Sequence, residues 1–147
     1  MVPRPEDRRA NELRELGESA RRRHDIVDAL RHYEEASNLL RNSPDRLKFA
    51  HTVRHLGDVY AEQREWLRAE PCYIEALEVY RSHPSPSKLD VANAIRPYAI
   101  LLSATGRHAE SRGLFAEAAR LYEAVGIAAG VEECMRRAGI QMDNAEE

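Results

Sequence analysis

Apolar residues recur along this chain with the spacing of amphipathic helices. Near the N-terminus Leu13, Leu16 and Ala20 fall on one face, and Tyr33 and Ala36 do so in the next segment. A recurrence at three, four and seven residues matches the 3.6-residue turn of an α-helix, so we expect these residues to form the core. The pattern predicts seven helices, at about 5–22, 25–41, 45–62, 66–82, 87–105, 108–124 and 127–141.

Several of these segments are preceded by residues that cap helices. The stretch Ser43–Asp45 precedes the third helix, Ser85–Ser87 precedes the fifth, and Asp25 precedes the second. Oxygens of Ser and Asp side chains accept hydrogen bonds from the free backbone N–H groups of a first turn. Proline is also favoured there, because its ring already has a helical φ. We therefore expect helices to begin at these three places.

The chain also repeats itself, first with a step of 40 residues and then with a step of 42. Gly17, Gly57 and Ala99 are small residues at equivalent positions, and an aromatic residue and then an alanine follow each of them at constant spacing. The three repeats cover about 7–42, 45–83 and 87–125, and each contains two predicted helices. A small residue inside the leading helix would let the trailing helix approach closely, with an aromatic ring such as Tyr73 filling the space beside it.

These residues resemble the tetratricopeptide repeat, whose signature is W-x2-L-G-x2-Y followed by A-x3-F. In the second repeat Leu56, Gly57 and Tyr60 match the first part, and Ala69 and Tyr73 match the second. The longer step is similar to the kinesin-light-chain type of this repeat. The resemblance extends over about residues 10–125. It implies an all-α superhelix, or solenoid, of three helix-turn-helix repeats, and a non-catalytic scaffold that binds proteins or peptides.

The remaining segments complete the predicted domain. The seventh helix does not repeat the motif, and we expect it to cap the apolar end of the third repeat. A short acidic tail follows it at 143–147. The whole chain, 1–147, is interpreted as a single domain.

The resemblance also implies that the leading helices line a concave groove. Two sets of polar residues lie opposite the core at equivalent positions, one set of arginines and one set of hydrogen-bonding side chains. Arginine suits carboxylates or phosphates, and the other set would bond a ligand backbone, so an acidic or extended segment is expected. The predicted groove consists of Asn11, Arg14, His51, Arg54, His55, Asp58, Asn93, Arg96 and Ile100.

Other interpretations of this surface remain open. The arginines are equally typical of a solvated charged face. His51 and His55 have the spacing of a zinc-binding pair, but Thr52 stands where a zinc hydrolase carries glutamate, and Arg54 between them repels a cation. We therefore expect no metal site. Solvated histidines and histidines that contact a ligand in a pH-dependent way are the alternatives that remain.

Composition narrows the function further. Asp and Glu number 25 against 22 Lys and Arg, which does not favour nucleic acid as a partner. We find no nucleophile–base pair and no glycine-rich phosphate loop, so neither catalysis nor a cofactor is expected. No apolar run approaches the roughly 20 residues that span a bilayer, and a cytoplasmic protein without membrane partners is expected. The alternative function is self-assembly into a homodimer or larger homo-oligomer.

Overall fold

The computed structural model describes residues 2–140, and within that range it contains helices and no strands. The predicted acidic tail at 143–147 lies outside the described residues. Every helix begins and ends within three residues of its predicted bounds. The helices are α1 (Pro5–Arg22), α2 (Ile26–Leu40), α3 (Arg46–Glu62), α4 (Trp66–Ser82), α5 (Lys88–Ala104), α6 (His108–Ala124) and α7 (Ala128–Ala138).

The capping residues stand where the sequence indicates. Asp25, Asp45 and Ser87 each accept a hydrogen bond from the backbone N–H three residues further on, at 3.2, 3.1 and 3.3 Å. The hydroxyl of Ser43 is used differently, because it donates to Oδ1 of Asp7 at 3.0 Å. Side-chain caps thus fix the starts of α2, α3 and α5.

The helices pack as successive hairpins in two compact units that divide after His83. In the first unit α1 packs on α2, α2 on α3 and α3 on α4. In the second unit α5 packs on α6, and α6 packs on α7. The predicted all-α fold of three helix-turn-helix repeats and a final capping helix is therefore confirmed. That the whole chain forms one domain stays a prediction.

The small residues of the leading helices lie against the aromatic rings of the trailing helices. A Cβ atom added to Gly17 would lie 3.1 Å from the ring of Tyr33. One added to Gly57 would lie 3.0 Å from Cβ of Cys72 and 3.1 Å from the ring of Tyr73. These distances are tighter than ordinary van der Waals contact, so the predicted close approach of the two helices is confirmed.

The apolar stripes form the core with one exception. Tyr73 is fully buried and Leu13 is 1% exposed, whereas Leu16, which we expected in the core, is 45% exposed. The equivalent residue of the second repeat, Leu56, is 8% exposed. It belongs to α3, which packs against α2 of the preceding repeat, whereas no described helix precedes α1. The placement of Leu16 in the core is therefore wrong for the described structure, in which no helix packs on α1 as α2 packs on α3.

Candidate functional site

A pocket of about 400 Å³ opens in the first unit among α1, α2 and α3. Five residues on about three turns of α1 supply most of its lining, and α2 and α3 each add one ring. Three members belong to the predicted groove, namely Asn11, Arg14 and His55. The complete lining is Asn11, Arg14, Glu15, Glu18, Arg21, Tyr33 and His55.

The pocket contains polar atoms whose hydrogen-bonding capacity is not used. Nε of Arg14 and Nδ1 of His55 are buried and have no hydrogen-bond partner among the described residues. The side chain of Asn11 makes no hydrogen bond within the same range. Buried polar groups in native proteins nearly always make hydrogen bonds, since burying a donor or acceptor without one costs about 1–3 kcal/mol. A bound group that accepts hydrogen bonds would satisfy Arg14 at the wall of this pocket.

His55 lies in a positive environment. Its ring stacks on Tyr33 with centroids 5.9 Å apart and planes 19° from parallel. Burial, followed by the charges of Arg54, Arg21 and Arg14, lowers the pKa of His55 to about 3. The imidazole is therefore neutral at pH 7. A negative group in the pocket would oppose both the arginine charges and this depression of the pKa.

The charges around the pocket are paired to different extents. Arg21 of α1 is hydrogen-bonded to Glu62 of α3, which connects the two leading helices. Glu18 pairs with Arg22 at 3.1 Å along α1. Arg14 has no ion-pair partner among residues 2–140. Arg14 therefore lines the pocket without an ion pair from this range, together with His55, whose Nδ1 makes no hydrogen bond there and lies 4.0 Å from Oδ2 of Asp58.

Two further groove residues of the first unit are held by each other. NH1 of Arg54 donates to Oδ2 of Asp58 at 3.4 Å, and the Tyr73 hydroxyl donates to Oδ1 of the same carboxylate at 2.7 Å. Burial raises the pKa of Asp58 in spite of these partners. Arg54 thus has an ion-pair partner on its own helix, although its Nε, like that of Arg14, is buried without a hydrogen bond among the described residues.

The second and third repeats use their other groove residues internally. Nδ1 of His51 is hydrogen-bonded to the Tyr80 hydroxyl at 2.6 Å. The Tyr122 hydroxyl donates to Oδ1 of Asn93 at 2.7 Å. In the first repeat Leu40 stands at the position of these tyrosines. No hydroxyl is therefore available there, and Asn11 faces the pocket without one.

In the second unit the predicted arginine is engaged by the last helix. Arg96 of α5 donates to both carboxylate oxygens of Glu133 of α7, at 3.0 and 2.7 Å. That contact lowers the pKa of Glu133, and the nearby Arg137 contributes as well. Ile100 is half-buried on the same helix, α5. The structure thus gathers three predicted residues into one pocket and leaves Arg96 in a bidentate ion pair.

Sequence reasoning left four lining residues out of the site. Glu18 and Arg21 follow Asn11 and Arg14 on one face of α1, so the helical period alone was sufficient to include them. Tyr33 was assigned to the core, where its ring does pack on Gly17, although its other face borders the pocket. Glu15 gave no signal, since it lies between the polar stripe and the exposed side of α1.

The described part of the chain shows no clustering suited to a metal ion. Across residues 2–140, His, Cys, Asp and Glu side chains do not assemble in threes around a common point. Over the same range, no helix is both long enough and apolar enough to cross a membrane.

Comparison with known proteins identifies a family that this sequence matches. The sequence profile described as Tetratricopeptide repeat matches residues 48–124. A search of curated proteins finds no match.

Several solved structures share the fold. BtubC (BKLC) from P. vanneervenii has a TM-score of 0.72 and 18% identity, over 95% of this chain and 65% of its own. The Rap conjugation gene regulator of plasmid pLS20, in complex with the Phr* peptide, has a TM-score of 0.70 and 21% identity, over 84% of this chain and 34% of its own. The N-terminal domain of stress-induced protein-1 (STI-1) from C. elegans has a TM-score of 0.68 and 20% identity, over 90% of this chain and 98% of its own. This chain thus spans less than two thirds of the first two. Its repeats, its helix pairs and the match over 48–124 show that the chain belongs to the tetratricopeptide repeat family.

Proposed function

We propose that this protein is a non-catalytic scaffold that binds a segment of another protein through its leading helices. The pocket beside Arg14 holds an acidic side chain of that segment, and the segment lies extended along the predicted groove. The observation that carries the proposal is the buried Nε of Arg14, which has no partner within residues 2–140 and borders a 400 Å³ pocket.

The chemistry of the pocket favours a carboxylate over a neutral group. Arg14 supplies a charge-assisted donor, and the amide of Asn11 supplies a second donor on the same wall. Burial is the main reason that the pKa of His55 is low, and the charges of Arg54, Arg21 and Arg14 lower it further, so these arginines add a positive field that favours a negative group. Glu15 and Glu18 also line the pocket and repel anions at its rim, so one carboxylate fits better than a strongly acidic run.

The similar structures are in keeping with a peptide ligand. The Rap regulator, with which this chain shares its fold, was solved in complex with the Phr* peptide. Scaffolding without catalysis is also the usual role implied by the tetratricopeptide repeat. We therefore assign no cofactor and no catalytic residue.

The test uses a defined probe and one charge reversal. A short fluorescein-labelled peptide of serines with a single glutamate is titrated with the wild type and with Arg14→Glu, and fluorescence anisotropy is followed. A charge-assisted hydrogen bond is worth about 1.5–3 kcal/mol, so the variant should bind at least about tenfold more weakly.

Two controls distinguish binding at this pocket from a general effect of the protein's net charge on peptide binding. Arg8→Glu makes the same charge change at an exposed position of the same helix, and it should bind as the wild type does. A peptide with glutamine in place of glutamate should bind weakly to all three proteins. Equal weakening by Arg8→Glu and Arg14→Glu would refute the pocket as the site.

A further inference from the structure

The carboxylate of Glu18 has an arginine four residues away on either side along its own helix. Arg14 precedes it and Arg22 follows it, so the three side chains share one face of α1. Residues at this spacing have Cβ atoms about 5–6 Å apart, which is close enough for an ion pair in either direction. In the structure Glu18 pairs with Arg22 at 3.1 Å and leaves Arg14 without an ion pair within residues 2–140.

Glu18 is also the carboxylate of α1 that could occupy Arg14 most directly. The side chains that face Arg14 along the helix are those three and four residues away. These positions hold Ala10, Asn11, Gly17 and Glu18. Glu15 is adjacent in sequence, but consecutive residues of a helix do not face each other. Arg14 therefore has no partner from these positions as long as Glu18 stays with Arg22.

The direction of the ion pair favours Arg22. A glutamate that precedes a basic residue by four positions is better placed than one that follows it, because the helix dipole stabilises negative charge toward the N-terminus and positive charge toward the C-terminus. Glu18 precedes Arg22 and follows Arg14. Arg22 lies in the last turn of α1, where the dipole stabilises its charge. Each such pair is weak on its own, so the loss of Arg22 would be sufficient to release Glu18 to Arg14.

The second repeat shows the arrangement that arises without this arginine. Arg54, Asp58 and Glu62 stand there at the equivalent positions, so a glutamate replaces Arg22. With a like charge four residues further on, Asp58 pairs with the preceding arginine, Arg54, at 3.4 Å. The Tyr73 hydroxyl donates to the other oxygen of the same carboxylate. The groove arginine of this repeat is thus occupied by the carboxylate that follows it.

The third repeat occupies its arginine in another way. Ile100 stands at the position of Glu18, so α5 offers no carboxylate there. Arg96 instead donates to both carboxylate oxygens of Glu133 of α7. The groove arginines of the second and third repeats therefore each have a carboxylate in place, whereas in the first repeat the carboxylate at this spacing is held by a different arginine.

We propose that Arg22 is a positioning residue that keeps the Arg14 pocket open to an acidic ligand. It holds Glu18, which otherwise competes with the ligand for Arg14. Arg22 is exposed and is not part of the pocket lining, so beyond its contribution to the net charge it acts on binding through Glu18. The acidic ligand rests on the proposed function, whereas the choice of partner by Glu18 is a property of the free protein.

The test gives the first repeat the charge pattern of the second. Arg22→Glu places a like charge four residues after Glu18, as Glu62 does after Asp58. Loss of a favourable pair and gain of an unfavourable one should weaken binding of the single-glutamate peptide about two- to fivefold. This effect is measured relative to Arg23→Glu, the matched control, which makes the same charge change at the next exposed position.

Two further variants show whether the effect passes through Glu18. In a Glu18→Gln background, Arg22→Glu and Arg23→Glu should change binding equally, because no carboxylate is left to compete. Arg22→Lys keeps the charge and should bind as the wild type does. Circular dichroism establishes that every variant is helical. A difference between Arg22→Glu and Arg23→Glu that persists in the Glu18→Gln background would overturn the proposal.

A measurement without peptide separates this inference from the proposed function. The Nε–H resonance of Arg14 should shift in Arg22→Glu, because the ion pair with Glu18 then forms, and it should shift less in Arg23→Glu. When Arg22→Glu is added to Glu18→Gln, the resonance should stay in place. These shifts together with an absence of peptide binding would support the pairing and contradict the proposed function. Equal shifts in Arg22→Glu and Arg23→Glu would overturn the inference whatever the peptide does.

Discussion

The hydroxyl of Tyr80 is hydrogen-bonded to Nδ1 of His51 at 2.6 Å. The second repeat has this hydrogen bond and the first repeat does not. The third repeat has the same arrangement, with Tyr122 bonded to Asn93 at 2.7 Å. In the first repeat Leu40 cannot make such a bond. The first repeat therefore keeps its polar groove residues unpaired, and the candidate pocket forms where the internal hydrogen bond is missing.

Removing the Tyr80 hydroxyl should destabilise the protein. Tyr80 is fully buried, so Tyr80→Phe would leave His51 without this partner while keeping the ring. We expect the free energy of unfolding to fall by about 1 kcal/mol, measured by urea denaturation. Tyr33→Phe is the matched control, because the Tyr33 hydroxyl has no hydrogen-bond partner within the described residues. A loss just as large in the control would contradict this account.

Replacing either of two glycines of the second unit by alanine should change the free energy of unfolding, in opposite directions for the two positions. A Cβ on Gly130 would lie 2.7 Å from the ring of Tyr122, too close for any real contact, whereas one on Gly113 would meet nothing within 4 Å. Gly130→Ala should lower the free energy of unfolding by about 1–3 kcal/mol through overpacking. Gly113→Ala should raise it by about 1 kcal/mol, because alanine is the better helix former. Thermal denaturation of both variants would show whether the signs differ.

The turns inside the hairpins share one strained backbone position. His24, Arg64 and Gly106 are equivalent in the three repeats and have φ of 59°, 57° and 85°. A residue with a side chain pays about 1–2 kcal/mol in this left-handed region, and glycine does not. After allowing for the larger entropy of glycine in the unfolded chain, Arg64→Gly should stabilise the protein by about 0.5–1 kcal/mol.

The reciprocal change provides the control for that turn. Gly106→Arg introduces the residue of the second repeat into the third, where the surroundings of Gly106 are open. It should destabilise the protein by an amount similar to the gain at Arg64. Differential scanning calorimetry compares both variants with the wild type, and a gain in Tm for Gly106→Arg would refute the assignment of strain.

Protonation of His55 should make stability depend on pH. The pKa falls from 6.5 for an ordinary histidine to about 3 in the folded protein, so the unfolded chain binds more protons between these values. Stability is then fully present above pH about 6.5 and is lost as pH falls toward 3. Between pH 7 and 5 the wild type should lose more stability than His55→Phe, which keeps a ring on Tyr33 and cannot titrate. Equal pH dependence of the two proteins in urea denaturation would contradict the prediction.

Most of the architecture was predictable, because helical period and repeat spacing are local properties. Gly57 and Tyr73 illustrate this, since their sequence separation alone indicated that ring and glycine would meet. Asp45 and Ser87 likewise cap their helices as their residue types suggest. Leu16 shows where prediction of burial from the repeated pattern fails. A repeated pattern assigns equal burial to equivalent residues, but in the described structure α2 packs on the helix of Leu56 and no helix packs in the same way on that of Leu16.

The site was less predictable, because it depends on which polar groups satisfy one another. The sequence treats Arg14, Arg54 and Arg96 as equivalent. In the structure Arg54 pairs with Asp58 of its own helix and Arg96 pairs with Glu133 of α7. Glu133 lies in the one helix that does not repeat the motif, so no periodic argument connects it with Arg96. Whether all three arginines hold one ligand stays a prediction.

The most direct test of the pocket follows Arg14 itself. The Nε–H resonance of Arg14 is assigned by NMR from its loss in Arg14→Lys, and the unlabelled glutamate–serine peptide is then added. We predict that this resonance shifts with the peptide concentration and saturates, and that resonances of His55 follow the same binding curve. A peptide that binds while the Arg14 and His55 resonances stay in place would contradict the account.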